Sequence, residues 1–171
     1  ALPAYPHHRP GGKGAAPDAA ALVAFAETSP CAEERFNVTE DSAWSLGKDG
    51  TVDRALVLLQ CGSGAYNFSS VPYLATREGQ DASWRFTPAP FADAPDGAED
   101  GGLPYVVNAD FDAESGQLFT YAKGRGVGDC GVAEQFVWDG EAFYLTARSS
   151  MPVCRGSADW IPVWTAEVIK P

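Results

Sequence analysis

The chain has 171 residues, 45% hydrophobic and 20% charged, with 12 lysines and arginines against 23 aspartates and glutamates for a formal net charge of −11. A chain of this length buries roughly 70% of the surface its unfolded form exposes, and its apolar content offsets the entropy of ordering it, which excludes wholesale disorder. The acidic excess repels phosphate backbones and anionic headgroups, excluding nucleic acid and acidic membrane surfaces as natural partners, while a basic protein or a cation would be drawn in.

The chain begins Ala1-Leu-Pro-Ala-Tyr-Pro-His-His-Arg-Pro-Gly-Gly-Lys-Gly, a Pro- and Gly-rich stretch that predicts an extended arm over residues 1–16. No charged start followed by an apolar core marks a signal peptide, and no run of about twenty apolar residues is present to span a bilayer, so an exported protein would be represented here by its mature residues. His7 and His8 have no nearby carboxylate or cysteine in sequence and read as tail, not as metal ligands. Residues 17–171 are expected to form a single disulfide-linked β domain.

Within that domain Pro17 to Glu27 predicts one short helix, with Pro and Asp at its start and alanines around Leu22, Val23 and Phe25. Asn37-Val-Thr39 and Asn67-Phe-Ser69 match the glycosylation sequon, a frequent chance match. From Ala43 onward the pattern becomes short runs of Val, Leu, Phe, Tyr and Trp cut by turn dipeptides, as antiparallel strands require. Asp49-Gly50 separates SLGK from Val52 to Gln60, and Asp139-Gly140 separates Glu134 to Trp138 from Ala142 to Ala147, giving two hairpins. Ala113 to Gly116 joins Tyr105 to Phe111 with Gln117 to Tyr121 as a third, and Trp160 to Ile169 closes the chain as a strand despite Pro162. Ala89 to Gly102 lacks apolar periodicity and carries four acids, which predicts a mobile surface loop inside the domain. The fold class expected is mainly β, an antiparallel β-sandwich or barrel-like meander with one short N-terminal helix.

The four cysteines, Cys31, Cys61, Cys130 and Cys154, contain no CxxC pair, which argues against zinc ribbons and thioredoxin-type centres and for disulfides. Three connectivities are open. The sequential one, Cys31–Cys61 with Cys130–Cys154, is preferred because it closes two moderate loops within neighbouring units, each contributing about 3 kcal/mol on the loop-entropy estimate. Such bridges persist in a periplasm or outside the cell.

Chemistry is sparse. Both histidines lie in the arm and no GxSxG surrounds a serine, so no catalytic residue is assigned, and neither a cofactor nor a metal is expected. Asn108 to Glu114 alternates oxygen ligands like a calcium loop, but the template's glycine is Ala113 and its final glutamate is Phe119, so a hairpin with a solvated face is expected. Tyr121 to Gly131, YAKGRGVGDCG, sets Lys123 and Arg125 among glycines beside Cys130, where backbone amides and Arg125 could hold an anionic group. The plainer alternative is a Gly-rich turn with Arg125 paired to Asp129. Cys154 to Trp164, CRGSADWIPVW, would be brought beside this loop by the Cys130–Cys154 bridge, clustering Arg125, Arg155, Asp129, Asp159 and Trp160. The candidate ligand-binding residues are therefore Lys123, Arg125, Asp129, Arg155 and Trp160, for arginine beside tryptophan is a common recognition pair.

The segments CGSGAYNFS at 61–69, YAKGRGVGDCG at 121–131, VWDGEAFYL at 137–145 and CRGSADWIPVW at 154–164 together resemble the bacterial exported family known as domain of unknown function 1176, over roughly residues 31 to 169. The resemblance implies a proteobacterial envelope or secreted protein with paired cysteines and supplies no catalytic residues. A weaker resemblance is to membrane-associated periplasmic lysozyme inhibitors, whose inhibitory loop holds an SGA-x-Y sequence; here Ser63-Gly-Ala-Tyr66 is one residue short. The function expected is a non-enzymatic, periplasmic or secreted binding module for a basic protein or an anionic small molecule. Its alternatives are a lysozyme-inhibitor-like protein, a carboxylate-dependent hydrolase and a structural part of a larger envelope protein.

Overall fold

A computed structural model describes residues 1–8, 14–35, 38, 41–98 and 102–169. The sequon at Asn37 and the acids Glu99 and Asp100 lie outside the described residues.

Helix α1 (Ala19–Thr28) starts at Asp18, whose carboxylate accepts a hydrogen bond from the Ala21 N–H, and stops at Ser29, whose N–H and hydroxyl both bond to the Ala26 carbonyl. Its inner side places Leu22 and Ala26 on a sheet while Phe25 stacks on Phe86 at 4.0 Å. That sheet runs in the order β2 (Ser42–Asp49), β3 (Val52–Ser63), β4 (Phe68–Glu78) and β5 (Arg85–Pro88), with β6 (Val106–Val107) also on β4. All these pairings are antiparallel. The predicted Asp49-Gly50 turn joins β2 to β3, and Gly50 takes φ of 58°, which a residue with a Cβ seldom adopts.

Strand β3 explains the uninterrupted run Ala55-Leu-Val-Leu-Leu59, because both of its faces are buried. Leu56 and Leu58 join one apolar cluster with Phe111, Leu118, Phe136, Trp138 and Phe143 of the second sheet. Ala55, Val57, Leu59 and Cys61 join another with Leu22, Ala26 and Tyr73 beneath the helix. Pro72 sits in the middle of β4, yet its missing N–H falls where the partner on that side changes, β6 pairing at Ser69 and Ser70 and β5 from Tyr73 onward.

The second sheet has the order β11 (Ile161–Thr165), β10 (Phe143–Met151), β9 (Gly131–Trp138), β8 (Gln117–Lys123) and β7 (Asp110–Asp112). It faces the first across the larger apolar cluster. Neither sheet closes on itself, so the fold is a sandwich-like meander with one helix and not a closed barrel. The extended start of the chain forms β1 (Ala4–Pro6), which pairs in parallel with β12 (Glu167–Ile169), and Tyr5 stacks on Tyr144 at 4.7 Å. The closing strand predicted from Trp160 to Ile169 is thus two strands, with Ala166 between them donating its N–H to the Thr146 carbonyl.

The segment from Ala89 differs from its sequence reading. Residues 89–96 cross between the sheets and are held there, because the Ala89 N–H donates to the Pro72 carbonyl, the Ala92 N–H to the Phe143 carbonyl and the Asp96 N–H to the Glu134 carboxylate. Phe91 packs on Phe136 and Phe143. Over residues 89–96 the lack of periodicity reflects a crossover peptide with single anchoring residues.

Phe136, fully buried between the sheets, is expected on truncation to Ala to lose about 3–5 kcal/mol of unfolding free energy. A urea melt checks this as a lowered midpoint with an unchanged slope; a loss below about 1 kcal/mol would contradict its place in the core.

Candidate functional site

Both disulfides follow the preferred sequential pairing, Cys31–Cys61 and Cys130–Cys154. The first pins the end of the helical segment to β3. The second ties the β8–β9 connection to the loop before β11, so the Gly-rich segment and the 154–160 segment meet as the preferred pairing predicts.

What the predicted residues do there is specific. Arg125 donates through Nε to Asp129 Oδ1 at 2.6 Å and through its terminal nitrogen to Oδ2, and the Gly156 N–H also donates to Oδ2 at 2.6 Å. Asp129 is buried whereas the Arg125 side chain is half exposed. The Arg125 guanidinium, with help from the Gly156 N–H and against the cost of burial, holds the Asp129 carboxyl down at about 2. This pair is a cross-brace between the two disulfide-linked loops, and the charge of Arg125 is spent on it. Trp160 stacks on Tyr121 at 4.8 Å, and the Tyr121 hydroxyl donates to the Gly128 carbonyl. Gly131 is required beneath it, because a Cβ there would lie 2.0 Å from the Ala122 carbonyl oxygen and 3.0 Å from the Trp160 ring. Arg155 is exposed and, among the described residues, pairs with no carboxylate. The approach of Asp129, Cys130 and Cys154 within 4.8 Å is no ready metal site, since both sulfurs are bonded to each other and both Asp129 oxygens are engaged.

Lys123 runs beside the Gly-rich loop, its Cδ 3.7 Å from where a Cβ on Gly128 would lie, and its residue also borders a second feature. It lines a cleft of about 440 Å³ together with Ser42, Leu58, Gln60, Phe68, Ser70, Asn108 and Ala109. The cleft opens where the sheets part. Along the inner face of β3 the core leucines Leu56 and Leu58 give way to Gln60, and across from it Ser70 of β4 replaces an apolar partner.

An amide clamp fixes the cleft's shape. Asn108 takes φ of 45° between β6 and β7, and its Oδ1 accepts the Phe68 N–H while its own N–H donates to the Phe68 carbonyl. Its Nδ2 donates to the Asn67 Oδ1 and to the Tyr121 carbonyl. Asn67 in turn donates to the Lys123 carbonyl at 2.8 Å and accepts the Lys123 N–H, and the Tyr66 hydroxyl donates to the Gly124 carbonyl. Asn67 therefore serves as an internal bracket, its Oδ1 accepting twice and its Nδ2 donating once, not as a displayed sequon. Asp112, in the calcium-like stretch, accepts the Ser115 hydroxyl and the Glu114 N–H, which hold its carboxyl below the usual range and make the hairpin turn anticipated there.

The family described as a protein of unknown function, DUF1176, matches residues 14–167. The chain belongs to this family. A relative, the uncharacterized protein YpfG of Escherichia coli strain K12, is 35% identical over 118 residues, which cover 67% of this chain and 33% of the relative. The chain thus spans about a third of that relative's length over the match. No solved structure matches the chain. Two disulfides suit an oxidising, non-cytoplasmic compartment, and among the described residues no helix is long and apolar enough to cross a membrane.

Of the predicted site residues, Arg125, Asp129, Arg155 and Trp160 share the disulfide-linked end of this DUF1176 chain, and Lys123 lies between that end, beside Gly128, and the adjoining cleft. Sequence reasoning missed Asn67, Asn108, Ser42, Ser70 and Phe68. The signal available was an asparagine in each of two segments already picked out, Asn67 within CGSGAYNFS and Asn108 at the start of the stretch to Glu114.

Asp129 supplies a pH test. Its folded pKa is depressed, so its contribution is present above the ordinary value of 3.8 and is lost as pH falls toward about 2. Asp129→Asn is expected to melt at lower temperature than the parent at neutral pH, with the two melting curves converging between about pH 4 and pH 2. A gap that does not change over that range would show that the brace carries no linkage.

Proposed function

We propose that the chain is a non-enzymatic, exported binding module, periplasmic or secreted, that holds an anionic small molecule in the cleft between the two sheets, with Lys123 as the charged contact. The observation that carries this reading is a local reversal of charge. In a chain with 23 acids and 12 basic residues, this cleft is lined by one lysine and no carboxylate. Among the described residues Lys123 pairs with no acid, as Arg54, Arg85 and Arg155 also do not, whereas Arg35, Lys48, Arg77, Arg125 and Arg148 each do. The field of the whole protein repels anions at long range, so a bound anion has to gain its affinity from contacts at short range, and a cleft with neutral polar walls and a lysine at its border is where such contacts would form.

Arg125 recedes from the ligand role in this reading and becomes the brace that holds the neighbouring loop. The carboxylate-dependent hydrolase alternative asks for an acid in a concave pocket with a pKa raised toward neutrality. Asp129 has its pKa depressed instead and does not line the cleft.

A second reading, a structural part of a larger envelope protein, is favoured by one observation. Edge strand β11 exposes Ile161 at 58% and Val163 at 56%, beyond what a free edge usually shows to water. It predicts self-association that rises with concentration in sedimentation velocity and is lost in Val163→Lys.

The binding reading is tested by titrating ¹⁵N-labelled protein with acetate, citrate and inorganic phosphate and following backbone amide shifts. At least one anion is expected to give saturable shifts at Phe68, Asn108 and Lys123 that disappear in Lys123→Gln. No saturable shift there, or shifts that survive the substitution, would overturn it.

A further inference from the structure

Independently of what the cleft holds, we infer that the Cys130–Cys154 bridge is a redox-sensitive strap. An external dithiol opens it in the folded protein by attack at Cys154 and frees the 152–160 segment, while Cys31–Cys61 stays closed. The cysteines of the two bridges stand 24 and 30 residues apart. Loop entropy changes slowly with length and does not separate two loops so alike. Access to the sulfurs does.

Cys31 and Cys61 are 0% and 1% exposed within the apolar cluster beneath α1, so a reductant reaches them only after helix and sheet have parted. In the other bridge Cys130 is also buried, and the backbone at Gly124 lies so close that a Cβ there would stand 2.8 Å from the Cys130 Sγ. Cys154 is exposed, in a stretch where Pro152, Val153, Arg155 and Gly156 are exposed as well. Thiol exchange requires the attacking sulfur to reach one sulfur of the bridge, and Cys154 is the one this fold presents.

The charges beside the bridge suit an anionic attacker. The nucleophile is a thiolate, which a chain of net charge −11 repels at long range. Arg155 follows Cys154 directly and, among the described residues, has no acid partner. Asp129 lies within 4.8 Å of both sulfurs, but its charge is taken up by Arg125 and the Gly156 N–H. Burial favours the neutral thiol at Cys130 once the bridge has opened.

In the first step a thiolate of the dithiol bonds to the Cys154 Sγ as the Cys130–Cys154 bond breaks. The electron pair leaves on the Cys130 Sγ, which takes a proton from solvent. In the second step the remaining thiol of the reductant loses its proton and attacks its own partner sulfur in the mixed disulfide, and Cys154 leaves as a thiolate that solvent protonates. Two electrons thus pass from the dithiol, which becomes a disulfide, to the bridge, which becomes two thiols.

The release is local. Residues 152–160 contain no helix or strand, and besides the bridge they are tied across by the Gly156 N–H on Asp129 and by Trp160 stacked on Tyr121. One hydrogen bond and one ring pair do not offset the chain entropy of the whole segment. Strands β10 and β11 on either side keep their own pairing, and Asn67 and Tyr66 hold the Lys123 and Gly124 carbonyls from the opposite side.

The test exposes the native parent chain to dithiothreitol near neutral pH, stops the reaction by alkylation and maps the modified cysteines by mass. Cys130 and Cys154 are expected to be alkylated as a pair at least about tenfold faster than Cys31 and Cys61, with the circular dichroism of the two-thiol form unchanged. Amide exchange in that form is expected to rise about tenfold at Gly156 and its neighbours, with Phe68 and Phe136 protected as in the parent. The double variant Cys130→Ser, Cys154→Ser is expected to show the same exchange pattern without reductant, and Arg155→Glu to slow opening about threefold. Equal rates at the two bridges, or opening only once the dichroism is lost, would overturn the inference. Exchange at Gly156 that is unchanged after reduction would overturn the release of the strap, and an unchanged rate in Arg155→Glu would overturn the part given to its charge.

Discussion

At Asn108 the chain leaves the sheet of β2 to β6 and enters the sheet of β7 to β11, and it does so in the left-handed backbone region with φ of 45°. Asparagine tolerates that conformation because its short amide can hydrogen-bond nearby backbone. Here the amide continues the ladder that the corner interrupts, accepting the Phe68 N–H on one sheet and donating to the Tyr121 carbonyl on the other. Asn67 completes the bracket through Lys123. The separation of the two sheets at this end, and hence the cleft between them, depends on these amides, since the leucines and phenylalanines that hold the sheets together elsewhere have given way to Gln60 and Ser70.

Covalent and ionic ties converge on the same end. The Cys130–Cys154 bridge and the Arg125–Asp129 pair fasten the Gly-rich loop to the loop before β11, and the Tyr66 hydroxyl fastens it to the turn between β3 and β4. Buried acids elsewhere are treated in the same way. Asp53 is held by Arg77, Lys48 and the Ala15 N–H, with the last having the largest part in lowering its pKa, and Glu134 is held by Arg148 inside the sandwich. Among the described residues the buried carboxylates of Asp53, Asp129 and Glu134 are each held by at least one cation, as desolvation of an unpaired charge demands. Lys123, like Arg54, Arg85 and Arg155, has no acid partner among the described residues, and it is the one of these four that borders the cleft.

The features legible in the sequence were those carried by local rules. Asp18 capping α1, the Asp-Gly turns at Asp49 and Asp139, and the sequential cysteine pairing are each decided by residues close in the chain or by loop length. The Arg125–Asp129 pair was legible for the same reason, four residues apart. The crossover from Ala89 to Asp96 was not, because its anchors are Pro72, Phe143 and Glu134, all distant in sequence. Nor was the break of Tyr105 to Phe111 into β6 and β7, since Val106, Val107 and Phe111 read as one apolar run and only the third dimension shows that they belong to different sheets. The cleft was invisible for a related reason. Ser42, Ser70, Asn108 and Lys123 lie on four segments and are unremarkable singly; their meaning comes from the register that sets them together.

The corner's control of this end is tested most directly by amide hydrogen exchange in Asn108→Gly, a substitution that permits the backbone conformation while removing the side-chain bonds. The account expects faster exchange at Phe68 and Lys123, whose N–H groups are held by Asn108 and Asn67, with protection at core positions such as Leu58 and Phe136 unchanged. Protection at Phe68 and Lys123 equal to that of the parent chain would contradict it.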